Sequence, residues 1–143
     1  MKNPTDILEA LLVTGNRLTR VAAQATGSKT PAATWRTLSI LNTDGPMRVG
    51  ELAAASRISQ PGMTKLLPQL VEEELVYRIA DVADSRAWLI AISPKGSHAL
   101  ADWKREMAMA LEPTFGDLSA REWSTLSAAA DILQQRLATE VAA

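Results

Sequence analysis

Apolar residues recur at helical spacing through most of the chain and switch to a strand-like pattern once, between about positions 75 and 92. The first segment, about Thr5 to Thr26, sets Ile7, Leu8, Leu11, Leu12, Leu18 and Val21 mostly at helical intervals. Gly27-Ser28-Lys29 breaks it. Thr30-Pro31 then predicts a new start, a threonine cap followed by a proline whose missing N–H costs nothing in a first turn. That helix runs to about Asn42 with Trp35, Leu38 and Leu41 on one face, and Asp44-Gly45-Pro46 turns the chain. An alanine-rich helix is predicted near Val49–Ser56. Ser59 is a good N-cap for the next, with Pro61 tolerated in its first turn. Met63, Leu66, Leu67 and Leu70 fall on one side of this helix, and Gln60, Thr64, Lys65 and Gln69 on the other.

The stretches 75–79 and 87–92 are rich in β-branched and aromatic residues and read as two strands, with the polar segment Asp81 to Arg86 as the hairpin tip. Ser93-Pro94 restarts a helix through Leu100, Trp103, Met107 and Leu111. Ser119 with Glu122 makes a capping box for the last one, and Leu118 with Trp123 its hydrophobic staple. The fold class is therefore mainly α with a small β-hairpin. Two helices in tight succession followed by a hairpin form a winged helix-turn-helix, over residues 45–96 of a single domain.

Composition narrows the chemistry. In 143 residues there is no cysteine, which removes disulfides and thiolate metal sites, and the single histidine, His98, reads as an ordinary helix residue. No glycine-rich phosphate loop, HExxH or GxSxG is present, so no catalytic residue, cofactor or metal is expected and the chain does not read as an enzyme. No apolar run approaches the ~20 residues that span a bilayer. The N-terminus lacks the order of a signal peptide, so a cytoplasmic location with no membrane partner is expected. Net charge is −1, distributed as +3 over residues 1–36, −1 over 37–101 and −3 over 102–143. Any nucleic-acid binding must use a local face and not the field of the whole molecule.

That face is predicted at the start of the helix after Ser59. A recognition helix presents small or polar side chains to base edges and phosphates, and Ser59, Gln60, Pro61, Gly62, Thr64 and Lys65 occupy those positions. Gln60 has the donor–acceptor pair for adenine, and Lys65 reaches guanine or phosphate. At the hairpin tip stand Asp84, Ser85 and Arg86. An arginine there suits the negative potential of a narrow minor groove, and Asp84 is expected to hold it, or another nearby arginine, by a charge-assisted hydrogen bond.

Arg57-Ile58-Ser59-Gln60-Pro61-Gly62-Met63-Thr64-Lys65-Leu66-Leu67, then Leu75-Val76-Tyr77-Arg78, Asp84-Ser85-Arg86 and Ile92-Ser93-Pro94-Lys95-Gly96 together resemble the MarR family of bacterial regulators. The resemblance implies a homodimer joined through helices in 1–44 and 97–143, bound to a pseudo-palindromic duplex operator. Such proteins commonly repress, and small aromatic or lipophilic ligands relieve the repression. It places the ligand site near the start of the second helix, with Trp35 as a wall joined by Asn16, Arg17 and Leu38. Trp103 and Trp123 read as packing instead, and Trp88 as packing within the wing. Leu8, Leu11, Leu12, Leu118, Leu133 and Leu137 are the expected dimer residues. Three positions depart from the family pattern: Pro68 inside the recognition helix, Glu74 where a glycine commonly ends it, and Ser85 where a second wing arginine is common. Pro68, the acidic run Glu72-Glu73-Glu74 and the near-neutral net charge motivate one alternative, a winged helix that binds proteins and has lost DNA binding.

Overall fold

The computed structural model describes residues 2–84 and 86–142, with the backbone alone for 139–142. The order is α1 (Pro4–Thr26), α2 (Ala32–Asp44), β1 (Met47–Arg48), α3 (Val49–Ser56), α4 (Gln60–Glu72), β2 (Val76–Ala80), β3 (Trp88–Ile92), α5 (Pro94–Leu111), a 3-10 turn (Glu112–Phe115) and α6 (Ala120–Ala142). This is the mainly helical winged fold expected. The sheet has a third strand that the pattern did not show. β1 pairs antiparallel with β3, Met47 opposite Ile90 and Arg48 opposite Leu89, giving the order β1-β3-β2. Two residues carry no readable period, so only tertiary pairing makes them a strand.

Side-chain caps set the helix starts, each worth about 1 kcal/mol. Asn3 and Asp6 form a reciprocal box at α1, which begins at Pro4, one residue before the start expected from the apolar spacing. Ser59 Oγ accepts the Gly62 N–H at 3.1 Å, and Ser93 Oγ accepts the Gly96 N–H at 2.9 Å. Ser119 and Glu122 form the predicted box. α2 and α3 start without such a cap. Arg48 precedes α3, and at α2 Pro31 itself occupies the N-cap, one residue later than expected, while Thr30 donates its N–H to Ser28 Oγ.

One core joins the helix-turn-helix to the frame around it. Leu38 and Leu41 of α2, Leu52 of α3, Met63, Leu67 and Leu70 of α4, Ile90 of β3 and Leu100 of α5 are buried together. Each such side chain contributes on the order of 1.5–3 kcal/mol by leaving water. Gly96 lets α5 cross the end of the recognition-helix hairpin, because a Cβ there would stand 2.1 Å from the Leu75 carbonyl oxygen. α4 runs unbroken through Pro68, which is exposed, and the Thr64 carbonyl left without an N–H partner sits on the same exposed stretch, where water serves it. Glu74 adopts φ +63°, the left-handed conformation a glycine would take without strain.

The terminal helices are only partly used within the chain. α1 lies along α5, while α6 has no sustained packing partner among the described residues. Leu12 is 71 % exposed, Ile132 61 % and Leu137 63 %, and Leu8, Leu11, Leu126 and Leu133 are also open. Among the described residues no helix is long and apolar enough to cross a membrane.

Candidate nucleic-acid interface

The helix-turn-helix turn is built by backbone chemistry. α3 ends at Ser56, and Arg57 takes φ +54° as its cap, with its N–H on the Ala53 and Ala54 carbonyls. Ile58 donates to the Ala53 carbonyl at 3.0 Å, and Ser59 then opens α4. A non-glycine in the left-handed region costs about 1–2 kcal/mol, which the packing of Ile58 against the core and the two backbone bonds of the turn offset. α4 packs Met63, Leu67 and Leu70 inward, so Gln60, Pro61, Thr64, Lys65 and Gln69 face out.

Of the predicted reading residues, Ser59, Gln60, Pro61, Thr64 and Lys65 are exposed together at the helix start. Gly62 serves the turn: it is half-buried, its N–H is held by Ser59 Oγ, and an added Cβ would meet that oxygen at 3.0 Å and Ile58 Cγ2 at 3.1 Å. Pro61 has no N–H, so Gln60 carries the donor of the first turn that has no protein partner among the described residues. The Thr64 hydroxyl donates back to the Gln60 carbonyl at 2.9 Å, which leaves its oxygen lone pairs outward.

The wing differs from its sequence reading in how it is held. Asp84 accepts the backbone N–H of Arg86 at 3.0 Å and shapes the tip; the expected bond to the Arg86 guanidinium does not form, because the two-residue spacing closes a tight turn first. Arg86 is exposed with no carboxylate partner among the described residues. Ser85 lies outside the described residues. The wing is fastened at its root, by Arg48 at the start of α3. Its Nε and Nη2 donate to one Asp81 carboxylate oxygen at 2.9 and 2.7 Å. That hydrogen bond and charge hold the Asp81 carboxyl below its ordinary value, assisted by the Ala83 N–H on its other oxygen. Neither Arg48 nor Asp81 stood out in the sequence, since they are 33 residues apart and joined only through the β1–β3 pairing. Trp88, read as wing packing, is 54 % exposed, because its pairing with Ala80 carries it beyond the core toward the tip.

Behind this surface a cleft of about 780 Å³ opens between α1, the α1–α2 turn, α2, the α3–α4 turn and α5. Asn16 and Trp35 line it as expected. Two other expected residues do not. Leu38 is wholly buried in the core, one face of α2 away, and Arg17 lines a separate 180 Å³ hollow with Leu18 and Phe115 on the other side of α1. Trp103, expected as packing, stacks on Trp35 with centroids 4.9 Å apart and planes at 12°, and it is also a wall. Trp123 packs, edge-on to Phe115 at 6.5 Å. Arg20, Arg36 and Arg57 reach the cleft from three elements, and among the described residues no carboxylate lines it. The indole N–H of Trp35 has no protein partner among the described residues. The three arginines lie on separate elements far apart in the chain, so the sequence offered no signal that they meet.

Comparison with known proteins bears on this architecture. The sequence model of the MarR family matches residues 31–88, from the cap of α2 to the start of β3. A helix-turn-helix transcriptional regulator of Mycobacterium tuberculosis, MT0903.1, is 28% identical over 96 residues, 67% of this chain and 67% of the relative. The uncharacterised regulator YdgG of Bacillus subtilis is 31% identical over 83 residues, 57% of this chain and 55% of the relative. Among solved structures, the transcriptional regulator Tm0710 of Thermotoga maritima superposes with a TM-score of 0.73 at 19% identity, over 96% of this chain and 97% of that one. A MarR family protein of Bacillus stearothermophilus gives 0.67 at 20% identity, over 96% and 99%. These two likenesses are of fold, and the fold they share includes the terminal helices as well as the winged segment. The segment 31–88, which holds the helix-turn-helix and most of the wing, is thus similar to the MarR family of transcriptional regulators, and the whole chain shares the fold of the solved regulators.

Proposed function

We propose that the protein is a cytoplasmic homodimeric repressor that binds a pseudo-palindromic duplex operator and is released by a small, flat, anionic ligand. The observation that carries the reading is the start of α4, where a capped turn presents Gln60, Thr64 and Lys65 outward beside an anchored wing. In this reading Ser59, Gln60, Pro61, Thr64 and Lys65 meet the major groove, and Arg86 enters the minor groove with Asp84 shaping its approach. The segment 45–96 reads DNA, while helices of 1–44 and 97–143 join the protomers. The open apolar residues of α1 and α6 support that division, since water-exposed leucines in this number are stable only when a partner covers them. Two recognition helices would then sit about 34 Å apart, one turn of DNA.

The ligand reading rests on the cleft. Stacked Trp35 and Trp103 favour a flat apolar body, and three guanidinium groups with no facing carboxylate favour an anion. Genomic DNA co-purified with the protein and sequenced supplies the operator. Titration of that duplex should show affinity falling steeply with salt, and Lys65→Ala and Arg86→Ala should each weaken it and lower the salt slope by about one. Recovery of no discrete site, with no salt-dependent duplex binding, would replace this reading by that of a protein-interaction module.

A further inference from the structure

We infer that Arg36 is the positioning residue through which an anion in the cleft loosens the recognition helix, an inference that rests on the effector reading above. Arg36 projects from α2 into the cleft, and its Nε donates to the Ser56 carbonyl at 2.6 Å across twenty residues of chain. Ser56 is the last residue of α3, and a helix leaves its final carbonyls without partners of its own. The N–H groups of Arg57 and Ile58 turn back to Ala53 and Ala54, so the Ser56 carbonyl is held from outside, by Arg36. Three residues later Ser59 caps α4. One charge-assisted hydrogen bond thus ties the start of the reading helix to α2, which belongs to the frame.

The side chain of Arg57 reaches the same cleft, so one ligand can engage the turn and its tether together. A guanidinium holds a carboxylate by two parallel charge-assisted bonds, and its side-on fork, Nε–H with one Nη–H, includes the Nε–H that Ser56 now occupies. A carboxylate that takes this fork in the cleft draws Arg36 off Ser56. Water then serves the freed carbonyl, and the turn that places Gln60, Thr64 and Lys65 loses its fixed distance from α2. The ligand has differential affinity for the two states because the side-on fork of Arg36 is open to it only once Nε–H has left Ser56, which is the condition for any population shift.

The test uses the full-length protein, its own operator, and 2-naphthoate as the probe. Quenching of tryptophan fluorescence reads binding, and anisotropy of labelled operator reads coupling. In the wild type, naphthoate should quench and should weaken operator binding by about 5- to 150-fold, the usual range of coupling between sites. Arg36→Met should bind operator weakly from the outset and respond to saturating naphthoate by less than about twofold, since the coupling is already spent. Arg20→Met, which removes a cleft cation with no bond to α3, should need more naphthoate but reach the wild-type loss at saturation. A purely structural Arg36 would lower operator affinity and leave the full naphthoate response, and that result overturns the inference. Amide exchange on the wild type is an independent check: naphthoate should speed exchange at Arg57 and Ile58, and unchanged exchange overturns it too. Quenching without any loss of operator affinity overturns the coupling and leaves the cleft as a binding site. No quenching in the wild type overturns both.

Discussion

Replacing Gly96 by alanine places a methyl group where another segment's backbone already stands. The added carbon falls 2.1 Å from the Leu75 carbonyl oxygen and 3.0 Å from both the Leu75 carbonyl carbon and Ile92 Cγ1. Carbon–oxygen contacts of this type rest at about 3.3–3.6 Å, so the two backbones must part by roughly 1 Å or more. The strain cannot be absorbed by a flexible side chain. The same Leu75 oxygen accepts the Ser93 N–H at 3.0 Å, and Ser93 Oγ donates to the Glu74 carbonyl at 2.6 Å. Both bonds fasten the start of α5 to the end of the recognition-helix hairpin, and both stretch when α5 moves out. Overpacking costs about 1–3 kcal/mol, and two weakened hydrogen bonds add about 1 kcal/mol each, for a loss near 3–5 kcal/mol. Against a total stability of about 5–15 kcal/mol this is a large share. Urea unfolding followed by tryptophan fluorescence, at one fixed protein concentration, should show a lower midpoint with an unchanged slope. Gly15→Ala is the matched comparison. It lies in α1 with nothing within 4 Å of the added carbon, and it should gain about 0.5–1 kcal/mol. A Gly96→Ala loss below about 1 kcal/mol would refute the steric argument, because overpacking alone should exceed it.

Other outcomes follow from particular residues. Glu74→Gly relieves about 1–2 kcal/mol of left-handed strain at φ +63° and forfeits about 0.5–1 kcal/mol of chain entropy, so denaturation should show a small net gain; its exposed contact with Lys95 at 3.9 Å changes this little. The Asp81 carboxyl titrates below its ordinary value in the folded protein, so the Arg48–Asp81 link is complete above about pH 3.8 and is lost as pH falls through the lower folded value. Amide exchange at Ala83, whose N–H the Asp81 carboxylate accepts, should therefore rise in acid after correction for intrinsic rates, and Asp81→Asn should remove that acid-dependent step. If α6 joins the protomers of the proposed homodimer, paired Leu126→Glu and Ile132→Glu changes should give a monomer by light scattering and weaken operator binding. A dimer that survives both would place the interface elsewhere.

Local sequence determined most of the element list, because caps and periods act over a few residues. Ser59, Ser93 and Ser119 each announced a helix, and each one caps it. The same locality explains the misses. The two-residue β1 exists only because Met47 and Arg48 find Ile90 and Leu89, some forty residues on. Asp84 was read as holding the Arg86 side chain, and it holds the backbone instead, since a tight turn brings that N–H closer than the guanidinium. Gly62, read as part of the reading surface, also leaves the space into which the Ser59 cap closes, a packing role that local sequence did not show.

The sequence by itself determined that a polar helix start and a hairpin follow one another between Met47 and Gly96, because amphipathic spacing and capping are properties of consecutive residues. Only the tertiary structure decided what stands behind that surface. Side chains from α1, α2, the α3–α4 turn and α5 converge in space without any shared spacing in the chain, and their meeting forms the arginine-lined cleft beside stacked Trp35 and Trp103. The bond from Arg36 to the Ser56 carbonyl is of the same kind: an interaction across twenty residues, set by how α2 packs on α3 and by nothing local to either.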